Sequence, residues 1–334
     1  MEFDLSSEQE QFRQVVREFA EAEIAPHAEA WDRDHTFPVD TVKAMGKLGL
    51  FGLPFPEEYG GGGADYITYC IAIEEIARVD ASMAITLEAG VSLGAAPFHY
   101  SGTEEQKQEY LVPMIAGEVL GAFGLTEAEA GSDAGATRTR AVLRESDGVW
   151  AIDGQKTFIT NSGTPMTKCV TITARTGDNE ISNIVVDSGT PGFEVMAPYR
   201  KMGWHASDTH ELVFSNCRVP EQQLLGTRGE GFKTFLRVLD DGRIAISALA
   251  VGMAQACLDA SLAHAGTRQA FGGPIGRYQG VAFKCSDMAV AIENARNLTY
   301  KAAWLRDQGR PVRQAAAMAK LYSSEIAVLS LIHI

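Results

Sequence analysis

The chain has 334 residues, of which 46% are hydrophobic and 22% are charged, and this composition is typical of a globular protein with two or three domains. Its formal net charge of -14 excludes sequence-independent nucleic-acid binding, which needs a broad basic face, but allows an anionic cofactor held by a few local arginines. The five cysteines are odd in number, widely spaced and without a CxxC pair, so we expect reduced thiols, a cytoplasmic location and no zinc site.

The sequence predicts neither a signal peptide nor a membrane span. Glu2 and Asp4 lie near the start, and no apolar segment of the signal-peptide type follows them. The longest charge-free apolar-rich run, Ile244–Leu258, is short and rich in Ala, Ser and Gly. We therefore expect a buried helix there rather than a membrane-spanning one.

Residues 1–120 are predicted to form a helical domain. Ser6 with Gln9, and Thr103 with Gln106, match the capping-box pattern at the start of a helix. The Pro/Gly-rich loop PFPEEYGGGG lacks the Lys-Ser/Thr pair of a P-loop, so we expect a flexible connection rather than a phosphate cradle.

One segment of this helical region matches a catalytic motif. Gly90-Val-Ser-Leu-Gly94 fits GxSxG, the nucleophile elbow of α/β-hydrolases, which requires a strand before it and a helix after it. Glu88 and the Ala-rich surroundings favour a continuous helix instead. A serine hydrolase that uses Ser92 is kept as the alternative function.

The pattern changes to β-type between residues 121 and 226. Short β-branched segments alternate with Gly, Asn, Asp and Pro, which predicts an antiparallel barrel or sandwich. The predicted strands are Arg138–Arg144, Trp150–Ile152, Cys169–Ala174, Ile181–Asp187, Phe193–Ala197 and Glu211–Phe214. Residues 227–334 are again predicted to be helical. The predicted helices run from Phe232 to about Ala265, from Arg277-Tyr278-Gln279 to about Asp307, and from Pro311 onwards.

The stretch from Gly121 to Thr160 is the most informative part of the chain. Its first half predicts a bend-rich loop of small and acidic residues that exposes backbone N–H groups and hydroxyls. Its second half predicts a β-hairpin with turn dipeptides at Asp147-Gly148 and Asp153-Gly154. This arrangement suits a flat polar ring system, but a plain surface turn beside a hairpin fits the pattern equally well.

Four short motifs in this stretch resemble the acyl-CoA dehydrogenase family. They are Phe123-x-Leu-Thr-Glu, Ala130-Gly-Ser-Asp, Gly154-Gln-Lys and Phe158-Ile-Thr-Asn. The likeness extends from about Leu5 to Val328, although Ala128 and Glu129 stand where Pro and Gly are common in the family. The resemblance implies an α+β fold with an all-helical N-terminal domain, a middle antiparallel β-barrel and a C-terminal helical bundle.

The resemblance implies FAD as the cofactor, whereas no Rossmann GxGxxG follows a predicted strand. The residues implied to line the flavin are Phe123, Leu125, Thr126 and Ser132 from the loop, and Phe158, Ile159 and Thr160 from the hairpin. Thr160 is expected near flavin N5, where a hydroxyl can hydrogen-bond the atom that accepts hydride. Phe158 occupies a position that is often Trp in relatives, so the indole N–H is lost here.

A second cofactor contact is implied further along the chain. Arg268, in Thr-Arg-Gln-Ala-Phe-Gly272, resembles the family's RxxFG motif, whose Arg contacts the FAD diphosphate of a neighbouring subunit with Phe271 and Gln279 nearby. A forked guanidinium suits phosphate oxygens. The resemblance therefore implies an oligomer, and in this family a homotetramer; a helix-terminal Arg in water is the alternative.

The substrate implied by the resemblance is an acyl-CoA. Asp240 and Arg243 form the D-x-x-R element that lines the acyl-CoA pocket in the family, and Ser132 is the matched position for a contact with CoA. An exposed i, i+3 ion pair is the simpler interpretation of Asp240 and Arg243. His205 and His210 lack a third ligand pattern, so no metal site is predicted.

The implied reaction is α,β-dehydrogenation of the acyl-CoA thioester to the trans-2-enoyl-CoA, as in fatty acid β-oxidation, with electrons passed to an electron-transfer flavoprotein. No catalytic residue can be named. The Tyr-Glu-Gly-Thr motif that carries the general base in most relatives is missing, and the alternative slot in the D-x-x-R helix is Gly242. We therefore interpret the chain as C-terminally truncated and inactive by itself, with the base expected beyond Ile334; a non-catalytic flavoprotein homologue is a further alternative.

Overall fold

The computed structural model describes residues 4–333, without the side chain of His333. The chain divides into two compact units: one contains residues up to 29, residues 64–85 and residues from 243 onwards, and the other contains residues 30–63 and 86–242. The predicted helical segment of residues 1–120 is thus shared between the two units.

Helices dominate both ends of the chain, as predicted. The α-helices are α1 (Ser7–Glu23), α2 (Ala28–Asp34), α3 (Val39–Lys47), α4 (Tyr66–Val79), α5 (Ala81–Glu88), α6 (Ala96–Ser101), α7 (Glu104–Gln106), α8 (Val112–Ile115), α9 (Gly231–Thr267), α10 (Gln279–Asp307) and α11 (Arg313–His333). Both predicted capping boxes are confirmed: the Ser6 hydroxyl accepts a hydrogen bond from the Gln9 N–H while the Gln9 side chain accepts one from the Ser6 N–H, and Thr103 and Gln106 do the same.

The first unit is held together by apolar packing and buried ion pairs among its helices. Parts of α9, α10 and α11 share a buried core in which several alanines pack with larger side chains such as Val251, Met288 and Ile292. The Arg17 guanidinium donates two hydrogen bonds, 2.9 and 2.8 Å long, to the buried carboxylate of Glu75, and so joins α1 to α4. Such forked contacts fix orientation as well as contributing energy.

The second unit contains an eight-stranded sheet. Its strands are β1 (Leu120–Gly124), β2 (Arg140–Arg144), β3 (Val149–Thr160), β4 (Thr167–Gly177), β5 (Glu180–Asp187), β6 (Phe193–Val195), β7 (Thr209–Pro220) and β8 (Leu224–Leu225). The hydrogen-bonded order is β6-β7-β3-β2-β4-β5-β8, and β1 pairs with β4. A core of aliphatic and aromatic side chains, among them Trp150, Ile172 and Phe214, lies within this sheet.

Strand β1 corrects the predicted loop. Residues 121–124 were expected to begin a bend-rich loop, but they form a buried strand that runs parallel to β4. The sequence Leu-Gly-Ala-Phe-Gly does not alternate in polarity because all five residues are buried, so it carries no two-residue period. The pairing of β2 with β4 is also parallel, so the sheet is mixed rather than purely antiparallel.

The GxSxG segment lies in a continuous helical stretch, which contradicts the hydrolase alternative. Residues Ala89–Ala95 form a π-helix between α5 and α6, so no strand precedes Ser92. The two glycines have a packing role: a Cβ on Gly94 would lie 2.6 Å from the carbonyl oxygen of Gly121, and one on Gly90 would lie 2.8 Å from the Phe51 ring. The motif therefore reflects close packing of the π-helix rather than a nucleophile.

Within residues 4–333, three helical segments are long and apolar enough to cross a membrane by length and composition alone: Ala81–Ser101, Gly231–Thr267 and Arg313–Ile332. The apolar run Ile244–Leu258 is only the middle part of the second of these helices. In the first segment, 89% of the apolar window is buried inside the protein, which is the environment expected of a core helix.

Candidate active site

A β-bulge near the end of β3 forms the centre of the candidate site. Lys156 pairs with Leu212 and Ile159 pairs with His210, so two residues of β3, Thr157 and Phe158, lie opposite one residue of β7. Phe158, within the bulge, has a φ of +61° and its side chain is 66% exposed. A bulky residue in the left-handed region is strained, and such strain is concentrated at functional sites.

The predicted loop and the last strand of the predicted hairpin meet at this bulge. The turn expected at Asp147-Gly148 lies between β2 and β3, but the one expected at Asp153-Gly154 is wrong because β3 continues through it. The Thr157 N–H donates a 2.8 Å hydrogen bond to the carbonyl oxygen of Thr126. Thr126 and Thr160 are both half-buried, and the exposed Phe158 ring packs on Tyr199 at a centroid distance of 4.9 Å. The loop that carries Thr126 therefore meets β3 next to its exposed aromatic residue and three residues before Thr160.

The other residues predicted to line the flavin differ in accessibility. Ser132 is exposed and Leu125 is half-buried. The side chain of Phe123 is only 6% exposed and stacks on Phe235, and the side chain of Ile159 is 3% exposed within the sheet core. Phe123 and Ile159 can therefore offer a ligand mainly their backbone.

A cavity of about 770 Å³ opens beside this strand end. Its lining includes Gly163, Tyr199, Lys201, Thr209 and His210, and Thr209 is the β7 partner of Thr160. The volume is within the range of small-molecule sites. None of Thr126, Phe158 and Thr160 lines this cavity; Tyr199, which packs on Phe158, connects the cavity to the bulge. An exposed aromatic ring and half-buried threonines are residue types that suit a flat, polar heterocycle such as the flavin of FAD.

A fully buried ion pair lies behind the loop, and sequence reasoning missed it. Lys156 is 0% exposed and its Nζ donates to the Glu127 carboxylate at 2.7 Å and to the Leu125 carbonyl oxygen at 3.1 Å. Burial lowers the pKa of Lys156 to about 8 despite the neighbouring carboxylate. Burial alone would raise the pKa of Glu127, but the charge and hydrogen bonds of Lys156 outweigh it and lower that pKa to about 2.

A second buried carboxyl group lies at the π-helix. Ser92 Oγ is 2.5 Å from the Glu88 carboxylate and 2.9 Å from the Glu88 carbonyl oxygen. Burial raises the pKa of Glu88 to about 7, and the hydrogen bond from Ser92 only partly opposes this. A Cβ on Gly242 would lie 3.4 Å from Glu88 Oε1, so Glu88 borders the slot that was considered for the general base.

The predicted second cofactor contact lies in the other unit. Arg268 follows the C-terminal end of α9, and its N–H donates to the His264 carbonyl oxygen at 2.8 Å. Phe271 is 91% exposed with a φ of +49°, and Gln279, the first residue of α10, is also exposed. All three side chains are accessible, as a contact with a cofactor of another subunit would require.

The predicted substrate residues lie on α9. Asp240 and Arg243 are both half-buried, so the simple surface ion pair is not a complete description of them. Of the two histidines, His205 contacts Asp32 and the Lys201 carbonyl oxygen, and His210 contacts Asp208 and the Met196 carbonyl oxygen. Among residues 4–333, no group of three or more His, Cys, Asp or Glu could hold a metal ion.

Sequence profiles of three domain families cover nearly the whole chain. They are described as the acyl-CoA dehydrogenase N-terminal domain, which matches residues 6–118, the middle domain, which matches residues 122–217, and the C-terminal domain, which matches residues 229–331. This chain belongs to the acyl-CoA dehydrogenase family. The predicted family and its order of helical, β and helical regions are therefore confirmed, and FAD is the cofactor of the family.

Individual members of the family are similar over almost the full chain. The probable acyl-CoA dehydrogenase YngJ of Bacillus subtilis is 50% identical over 98% of this chain and 86% of its own length. The solved butyryl-CoA dehydrogenase of Megasphaera elsdenii is 40% identical with a TM-score of 0.96, and the match covers 99% of this chain and 88% of that one. A chain in the structure described as the electron transferring flavoprotein of Acidaminococcus fermentans is 42% identical with a TM-score of 0.96. The match covers 99% of this chain and 87% of that one.

The family motifs account for some residues that the sequence reading passed over. Glu127 and Lys156 belong to the Thr-Glu and Gly-Gln-Lys motifs that carried the resemblance, but no local pattern indicates that they pair. The position of Lys156 between the strand residues Trp150 and Ile159 could have indicated a buried ion pair, because a charged residue on a buried strand requires a partner.

Proposed function

We propose that the chain is an FAD-dependent dehydrogenase that converts an acyl-CoA thioester into the trans-2-enoyl-CoA and passes the electrons to an electron-transfer flavoprotein. The observation that carries the proposal is the meeting of the Thr126 loop with the strained, exposed Phe158 and half-buried Thr160. Membership of the acyl-CoA dehydrogenase family supports it. The similarity to the chain from the Acidaminococcus electron transferring flavoprotein structure supports the choice of electron acceptor.

The chain's own residues would hold the cofactor from two directions. Thr126 and Thr160 would hydrogen-bond the edge of the ring system, and Phe158 would cover part of its face. FAD, when bound, supplies the two-electron acceptor that no amino-acid side chain provides. Arg268 would bind the diphosphate of a cofactor in another copy of the chain, and this shared site is the reason to propose a homotetramer.

The substrate is proposed to be a short-chain acyl-CoA. The solved relative at 40% identity is named a butyryl-CoA dehydrogenase, which supports a short acyl group and a role in fatty acid β-oxidation. Asp240 and Arg243 would line the acyl-CoA site, and the exposed Ser132 would contact the CoA portion. The cytoplasmic location, inferred from unpaired cysteines, stays a prediction.

We also propose that this chain turns over acyl-CoA slowly, because a glycine at position 242 cannot act as a general base. Gly242 occupies the slot that a minority of relatives fill with Glu, and a Cβ there has no neighbour closer than 3.4 Å. Gly242→Glu is therefore expected to raise acyl-CoA-dependent dye reduction at least tenfold, with Gly242→Ala as the matched control. Turnover by the unchanged chain as fast as by Gly242→Glu would contradict this proposal.

Cofactor binding is the direct test of the proposed function. The purified chain is expected to take up FAD, to show flavin absorption and to change that absorption when butyryl-CoA is added. A folded chain that stays colourless with excess FAD would refute the proposal. FAD uptake without any response to acyl-CoA would instead favour the non-catalytic flavoprotein homologue.

A further inference from the structure

Lys156 has an unusually complete set of buried partners. Its Nζ lies 2.7 Å from Glu127 Oε1, 3.1 Å from the Leu125 carbonyl oxygen, 3.0 Å from Thr137 Oγ1 and 3.2 Å from Thr173 Oγ1. An ammonium group has three protons to donate, so every donor is satisfied inside the protein. Charged residues are almost never fully buried unless they are paired in this way.

Glu127 is bound as completely as its partner. Its carboxylate accepts hydrogen bonds from the Arg138 N–H at 2.6 Å, from the Thr139 N–H at 3.1 Å and from the Thr137 hydroxyl. Its backbone also forms a reciprocal pair of hydrogen bonds with Ala130, each 3.1 Å long. The carboxylate therefore ties the start of the Ser132-bearing loop to the end of that loop.

Stability alone does not explain this arrangement. Burying two charges costs several kcal/mol per ion, and well-packed apolar residues of similar volume are often as stable or more stable. The pair does determine the distance between the Leu125–Thr126 segment and β3. Lys156 Nζ donates to the Leu125 carbonyl oxygen, and the N–H of the next residue, Thr157, donates to the Thr126 carbonyl oxygen at 2.8 Å. Phe158 then begins the exposed part of the bulge.

We propose that the Glu127–Lys156 pair is a positioning clamp that fixes the Leu125–Thr126 segment against the β3 bulge at the separation the flavin requires. This inference rests on the proposed function, because those two segments are the ones assigned to the flavin. Glu127 and Lys156 are positioning residues: both are buried behind the backbone they hold, and neither side chain is accessible to substrate.

The test compares variants of the full chain. Lys156→Met alone leaves Glu127 as an uncompensated buried charge and is expected to lower the urea midpoint. Glu127→Gln combined with Lys156→Met removes both charges and is expected to regain most of that loss. Lys233→Met is the matched control, because Lys233 also pairs with a glutamate, Glu230, but on the surface.

FAD binding separates positioning from stability. The double variant is expected to stay folded, to bind FAD with a Kd at least tenfold above that of the unchanged chain, and to shift the visible spectrum of the bound flavin, whereas Lys233→Met changes neither. A folded double variant with an unchanged Kd and spectrum would overturn the clamp while leaving the proposed function intact. No FAD uptake by the unchanged chain would overturn both.

Discussion

The ionisation of Glu88 makes a quantitative prediction for stability. Its carboxyl group is buried beside Ser92, and burial raises its pKa from the ordinary value of 4.5 to about 7. Below about pH 7 the folded protein keeps the group protonated, and the Ser92 hydroxyl donates towards the Glu88 carboxyl oxygen and the Glu88 carbonyl oxygen. Glu88→Gln keeps the size of the side chain and removes its titration.

The sign of the effect follows from linkage. A group whose pKa is raised on folding contributes stability that is fully present below its unfolded pKa and is lost as the pH rises through its folded pKa. A rise from 4.5 to about 7 corresponds to about 3 kcal/mol in total. Of this, about 2 kcal/mol is expected to be lost between about pH 5 and about pH 7.5.

The assay is urea unfolding of the unchanged chain and of Glu88→Gln at about pH 5 and about pH 7.5, with tryptophan fluorescence as the readout. Subtracting the variant's pH dependence from that of the unchanged chain removes the contribution of every other titrating group. The difference between the two free energies of unfolding should move by about 2 kcal/mol in favour of Glu88→Gln on going to the higher pH. A difference that stays constant, or moves the other way, would show that Glu88 is ionised in the folded protein at both pH values.

Three further substitutions test other parts of the structure. Gly94→Ala should lower the free energy of unfolding by about 1–3 kcal/mol, because its Cβ would lie 2.6 Å from a carbonyl oxygen of β1. Gly131→Ala is the control and should have little effect, because no atom lies within 4 Å of its Cβ. Equal urea midpoints for the two variants would contradict this. Phe158→Gly should weaken FAD binding without lowering the free energy of unfolding, because glycine relieves the strained φ of +61°, and an unchanged FAD titration would count against a role in the cofactor site. Ser92→Ala should raise the pKa of Glu88 further, so the free energy of unfolding should keep falling up to a higher pH than in the unchanged chain. A fall that ends at a lower pH would refute the role given to the Ser92 hydroxyl.

Local signals predicted the helices well. The capping boxes at Ser6 and Thr103 mark helix starts because the side chain and the backbone N–H groups it binds are three residues apart in sequence. The start predicted at a proline was less exact, because α11 begins at Arg313, two residues after Pro311.

The candidate site was predictable in its loops but not in its side chains. The order of the motifs brought Thr126 and the Phe158 hairpin into one hypothesis, and the hydrogen bond between Thr157 and Thr126 joins them in the structure. The same motifs did not indicate that Phe123 and Ile159 are buried, because strand β1 has no polarity alternation and the bulge changes which residues of β3 face the core.

The sequence by itself determined the family, the succession of helical, β and helical regions, and the two segments that meet at the candidate site, because these depend on short-range spacing and on motif order. Only the tertiary structure decided that Lys156 pairs with Glu127, that Glu88 borders Gly242 and that the GxSxG glycines serve packing. The partners in the first two cases are 29 and more than a hundred positions apart, and burial, which sets their pKa values, is a property of the folded chain alone.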